Sequence, residues 1–224
     1  AVNRIANTSA VTVASGATFN LAGFAETVGS IAGAGNITLG AGTLTAGGNN
    51  TTTSFSGVIS GTGGLTKAGA GMLTLSGANT FSGKTSIQNG ALSVSSLNQV
   101  TGGSASSNLG APTTVANGTI DLGSGTTTGQ LIYTGTGETT DRVLNLAGTT
   151  GGGTLTQSGS GNIRFASNLT ATGSGSKTLT LQGSTAGTGE IAGVIVNNSA
   201  TNLTRLIKAD TGTWTLSGTN TNTG

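Results

Sequence analysis

The chain has 224 residues, of which 42 are glycine, one is proline and none is cysteine or histidine, so Ser-His and Cys-His nucleophilic pairs and ordinary zinc sites are excluded within it. Eight scattered basic residues against six acids give a net charge of +2 and no cluster to track a nucleic-acid backbone. Charged residues are only 6% while hydrophobic ones are 33%, a balance that argues for a folded, thin-cored chain rather than a disordered one.

Strand-like runs recur along the whole length. In chain order they are VTV (11–13), TFNL (18–21), NITL (36–39), TLT (43–45), MLTLS (72–76), ALSV (91–94), TIDL (119–122), TLTL (178–181) and TWTLS (213–217). Apolar residues alternate with Thr, Asn or Ser, which is the period of a half-buried strand. The alternation predicts Leu73, Leu75, Trp214 and Leu216 inward, with Thr74 and Thr215 outward. Gly, Asn and Ser lie between the runs, where positive φ and tight turns are expected. No segment holds a helical period, and no apolar run approaches the roughly 20 residues of a membrane helix, so no membrane insertion is expected. Short, regular strands suit a sandwich, a barrel or a solenoid.

Internal repetition chooses among these. Residues 67–83 and 208–224 match at an offset of 141 with ten identities in 17 positions, among them Lys67/Lys208, Leu75/Leu216, Asn79/Asn220 and Gly83/Gly224. Upstream, SGVIS (56–60) answers AGVIV (192–196) at an offset of 136, so the second copy carries five extra residues before its lysine. A spacer of variable length behaves as a loop outside a coil whose turns touch only their neighbours. The expected fold is all-β: a right-handed, single-stranded parallel β-helix (β-solenoid). Rungs of roughly 20–25 residues would give about nine to eleven turns and a rod about 45–55 Å long. Asn79 and Asn220 are candidates for hydrogen bonding up the coil.

The text GTGGLTKAGAGMLTLSGANTFSGKTSIQNGAL (61–92) resembles the passenger-associated strand repeat of autotransporter proteins. The likeness is carried by Leu65-Thr66-Lys67, Gly69 to Gly71, Leu73-Thr74-Leu75-Ser76-Gly77, Asn79-Thr80, Phe81, Gly83 and Thr85. Residues 11–48 and 110–123 look like the segments that flank such repeats. Asn222 stands where the second copy should have its aromatic. The resemblance implies one solenoid segment, residues 1–224, of a longer exported bacterial surface protein, with repeat copies at about 56–94 and 192–224. It implies secretion across the outer membrane and a structural role, as a rod that presents binding modules or mediates attachment. The alternatives are an extracellular filament or coat built by end-to-end stacking, and a carbohydrate-active β-helix enzyme.

Candidate sites are few. Gly83-Lys84-Thr85 imitates the end of a phosphate loop, but the required glycine five positions earlier is Ala78, and a strand pattern follows instead of a helix. Lys84 therefore reads as an exposed turn lysine. The acids Glu26, Asp121, Glu138, Asp141, Glu190 and Asp210 are dispersed, and Glu138, Asp141 and Arg142 in GETTDRV read as a polar outer turn with a local ion pair. Trp214 reads as core, and Tyr133 is open between core and surface. No catalytic, cofactor-binding or metal-binding residue is expected. The chain begins mid-pattern at Ala1-Val2-Asn3 and stops inside a motif at Gly224, with an uncharged, β-prone tail after Asp210. Self-association through open solenoid ends, or pairing with further chain, is the expected consequence.

Overall fold

A computed structural model of the chain describes residues 4–224, so the reading of Ala1–Asn3 lies outside the described residues. Strands account for the regular structure apart from one four-residue helix, Val115–Gly118, capped at its start by the Thr114 hydroxyl. The strands form a nine-stranded, a seven-stranded, a four-stranded and a three-stranded sheet, and their ladders are parallel. A full rung visits the nine-stranded face, then a third face, then the seven-stranded face. The third rung does so with Thr53–Phe55, Ile59–Ser60 and Leu65–Lys67. The sixth repeats the circuit with Gly129–Tyr133, Glu138–Thr140 and Leu144–Leu146. This is a parallel β-solenoid of about nine turns, and nine strands spaced by about 4.8 Å give a rod of about 40 Å.

Pairing register sets the rung length. Thr53 pairs with Leu73, Ala91 with Met72 and Gly129 with Gly153, so rungs take 20, 19 and 24 residues. Gly90 pairs with Gly129, and this rung alone runs to 39 residues because it carries an excursion between its strands. Inside, apolar residues stack in register: Leu73, Leu92, Leu131, Leu155 and Leu181 form one buried column. Stacked parallel strands satisfy both backbone edges, so a core this thin suffices.

The two repeat copies occupy different faces. In the first, Leu65–Lys67 lies on the seven-stranded face and Met72–Leu75 on the nine-stranded one. In the second, Thr204–Lys208 lies on the nine-stranded face and Thr213–Leu216 on the four-stranded sheet. Every face needs the same in–out alternation, so the text is face-independent, and the second copy is displaced by one face.

That displacement bears on the inward set. Leu73 and Leu75 are buried and Thr74 is half-exposed, as the alternation predicts. Trp214 is only half-buried: it stacks on Gly189, whose missing side chain makes room for the indole, and its Nε1 donates to the Gln182 carbonyl at 2.8 Å. Leu216 corrects the prediction. It keeps register with buried Ile191 but is 38% exposed, because Thr213–Leu216 is the edge strand of its sheet. Tyr133 belongs to the core, with its hydroxyl accepting from the Gly137 amide at 3.0 Å.

Glycine is needed for more than turns. A Cβ on Gly57 would lie 1.6 Å from the Gly35 carbonyl oxygen of the rung below, and one on Gly77 would lie 1.9 Å from that of Gly57. Neither residue has positive φ, so close backbone approach at the corner, not conformational freedom, selects glycine there. Gly57→Ala is expected to lower stability by about 2–3 kcal/mol, since the clash is with backbone that cannot rotate away. Urea denaturation of the purified variant checks this, and a change below about 0.5 kcal/mol would contradict the stacking distance.

Candidate functional site

The one large departure from the rung plan is the excursion between Val94 and Ile120. It interrupts the third face, which is divided into the three-stranded sheet below and the four-stranded sheet above. On the lower side, Ser107 bridges Asn79, and the Ala111 amide reaches the Phe81 carbonyl. Asn79 joins both layers: its Oδ1 accepts from the Ile59 amide at 2.8 Å, and its Nδ2 donates to the Asn108 carbonyl at 2.6 Å. Asn220 accepts from the Ile195 amide at 2.9 Å, the equivalent bond in the second copy. Each asparagine thus ties its own rung to the one below.

On the upper side, GETTDRV holds the excursion. Glu138 accepts from the Leu97 and Asn98 amides at 2.7 and 3.2 Å, and Asp141 from the Val100 and Thr101 amides at 2.6 and 3.0 Å. The Thr140 hydroxyl donates to the Asn98 carbonyl at 2.6 Å. Arg142 is fully buried, donating from Nε to the Gly118 carbonyl at 2.7 Å and from Nη1 to those of Leu97 and Leu109 at 3.1 and 2.8 Å. The polar outer turn with an ion pair is therefore corrected. The carboxylates bind backbone amides and the guanidinium binds carbonyls, because chain from the neighbouring rung folds over them.

The electrostatics follow. Burial pushes Glu138 above the usual carboxylate range, against the pull of the Leu97 and Asn98 amides and of Arg142. Burial also works to raise Asp141, but the Val100 and Thr101 amides outweigh it and hold its carboxyl below the ordinary value. Burial pulls Arg142 down to about 10, with Glu138 and Asp141 opposing, so it stays charged at neutral pH.

The phosphate-loop imitation separates in space. Thr85 is buried in an apolar column between Leu65 and Ile120, while Lys84 is exposed and pairs with Asp121 of the next rung at 2.6 Å. Lys84→Ala should cost under about 1 kcal/mol, as exposed ion pairs do, and ATP should shift the Tm of neither protein. Saturable ATP binding lost in the variant would contradict the structural reading. The remaining acids stay apart: Glu26 accepts from the Arg4 and Ile5 amides, and Glu190 pairs with Arg164 at 3.2 Å. No group of three or more metal-ligating side chains occurs among the described residues.

Reading the sequence missed what the repeat lysine does. Lys67 is buried in the core column between Ala46 and Ile87, and its Nζ donates to the carbonyls of Ala68, Gly69 and Asn89 at 2.6, 2.7 and 3.2 Å. Lys208 turns the same way onto Ala209 and Asp210, and Lys177 onto Thr149, Ser174 and Gly175. Lys67 and Lys208 close the corner that follows their strands, and Lys177 closes the one that precedes Lys177–Gly183. The signal shared by Lys67 and Lys208 was a lysine ending a strand before a glycine-containing turn.

Burial pulls the Lys67 ammonium from 10.5 to about 8. The folded chain then loses this proton near pH 8 while the unfolded chain keeps it to about 10.5. Between those values the unfolded state binds more protons, so the Lys67 contribution to stability rises with pH. The stability difference between wild type and Lys67→Met should shift in favour of wild type from pH 8 to 10 in urea denaturation. A flat or opposite trend would contradict it.

The passenger-associated-transport-repeat matches residues 65–94 and 206–224, the two stretches that contain the Lys67 and Lys208 corners and the Asn79 and Asn220 ties. The chain carries passenger-associated-transport-repeats. Each repeat begins at the strand that bears its lysine, Leu65–Lys67 in one copy and Thr204–Lys208 in the other. The chain is also similar to the adhesin BmaC autotransporter of Brucella suis biovar 1 (strain 1330), at 39% identity over 210 residues, or 90% of this chain and 6% of that protein. It thus spans about 6% of the length of the curated relative it matches. No solved structure matches it. The repeat and the relative together indicate an exported cell-surface protein. No helix among the described residues is long and apolar enough to cross a membrane.

Proposed function

We propose that the chain is a non-catalytic rod segment of a bacterial surface protein, a single solenoid unit that holds binding modules away from the cell or joins the cell to a surface. The observation that carries this reading is the unbroken nine-stranded parallel face, which runs the length of the described chain. Parallel ladders and buried columns give stiffness along the axis, while outward positions such as Ser54 and Thr74 are small and polar, without a cluster of chemistry-bearing groups among the described residues. The adhesin relative supports a role in attachment. The test replaces this segment, in the full-length surface protein, by an unrelated nine-rung solenoid, and coats beads with the purified chain. Attachment should survive the replacement, and the beads should not adhere. Lost attachment together with adherent beads would make the segment itself the binding module.

A second reading, end-to-end stacking into a filament, rests on Ile207 and Leu216, which are exposed on the last strands of the nine-stranded and four-stranded sheets. In the isolated chain these faces would pair between molecules. Sedimentation velocity should then show concentration-dependent association that weakens when Thr213 and Thr215 become lysine. A strictly monomeric chain at high concentration would end this reading.

A further inference from the structure

Of the three faces, the third is the one whose backbone ladder is divided at the fifth rung. The nine-stranded face passes the same level through five in-register pairs, Gly90–Val94 with Gly129–Tyr133, and the seven-stranded face through Ile120–Leu122 with Leu144–Leu146. On the third face the upper contact of the excursion is instead made by side chains. Glu138, Asp141, Thr140 and Arg142 hold the backbone of residues 97–101, and Arg142 also holds Leu109 and Gly118. A cleft lined by Ser96, Asn98, Gln99, Ser104 and Glu138 brings solvent to this contact.

We infer that this contact is a seam: the excursion lifts from the four-stranded sheet and recloses while the other two faces stay paired, which makes the fifth rung a compliant joint in an otherwise stiff rod. Local opening draws on solvent-reachable hydrogen bonds, as that of the Thr101 amide to Asp141 is, and here it must also lift Leu97 and Leu109 from the core. Four of the amides that close the seam end on carboxylates, which hydrate readily once water enters. Opening also hydrates the Arg142 Nη2, which no protein acceptor reaches among the described residues. The continuous faces have no such substitution of side chain for ladder. A load bending the rod toward the third face stretches the continuous ladders and meets unbroken backbone bonds, and one bending it away from the third face stretches the seam.

Residue-resolved amide hydrogen exchange on the intact chain tests this. After correction for intrinsic rates, the amides of Leu97, Asn98, Val100 and Thr101 should exchange at least about a hundred-fold faster than those of Leu92 and Leu131. The double variant Glu138→Gln, Asp141→Asn should speed those four by about a further ten-fold and leave Leu92 and Leu131 unchanged. One common rate for all six amides in the wild type, or equal acceleration of all six in the variant, would overturn the seam.

Discussion

Leu75→Asp is expected to unfold the rod, with a loss of about 5 kcal/mol or more. Leu75 is buried in register with Phe55, so the change removes a core side chain worth about 2–5 kcal/mol and leaves a charge with no partner. Ionised or protonated, the new carboxyl lies against buried Phe55 among the apolar side chains of the core. A solenoid core is one side chain deep at each face, so the rungs above and below have no second layer on which to repack. Leu75→Met, which nearly conserves volume, should cost under about 1.5 kcal/mol. Urea denaturation followed by circular dichroism separates the two. A loss under about 2 kcal/mol for the aspartate would mean that Leu75 does not face inward.

The second large effect is at Arg142. Arg142→Met keeps most of the stem volume but strands the carbonyls of Leu97, Leu109 and Gly118, and removes the cation that faces Glu138 and Asp141. Each orphaned buried acceptor costs about 1–3 kcal/mol, and breaking a buried charged network typically costs 3–5 kcal/mol, so a loss of about 4 kcal/mol is expected. It should fall first on the excursion: cleavage by a nonspecific protease between residues 99 and 106 should accelerate well before the strands melt. Unchanged cleavage and an unchanged urea midpoint would show that the guanidinium is not a clamp.

Much of this fold is legible in the residues, because a solenoid writes its architecture locally. The alternation around Leu73 and Leu75 gives the inward face. The paired texts at Lys67 and Lys208 give the repeat, and the five-residue spacer difference marks a coil. What is not legible depends on distant chain. GETTDRV reads as a surface turn because nothing near it in sequence covers it; the carbonyls that Arg142 binds lie 24, 33 and 45 residues away. Lys67 reads as a polar marker of the repeat, yet its stem fills a core column and only its ammonium turns out onto carbonyls, a division of one side chain that a hydropathy pattern does not resolve. Leu216 has the alternation of Leu75 but the exposure of an edge strand, and that depends on its strand being the last of its sheet. Gly57 is chosen by the carbonyl of a residue 22 positions earlier, although its own turn would accept other side chains.

The stacking of rungs at these registers is the claim on which the rod, its lysine corners and its seam all depend. The chain has no cysteine, so paired cysteines introduce a clean ruler. Thr45 and Thr66 are Cα partners on adjacent rungs of the seven-stranded face, and Thr66 and Ser86 are partners on the next pair. Neighbouring strands are about 4.8 Å apart, within disulfide reach, and strands two rungs apart are not. Under mild oxidation, Thr45→Cys with Thr66→Cys should form an intramolecular disulfide in the folded chain, and Thr45→Cys with Ser86→Cys should not. Efficient closure of the second pair, or failure of the first in protein that is otherwise folded, would contradict the stacked solenoid.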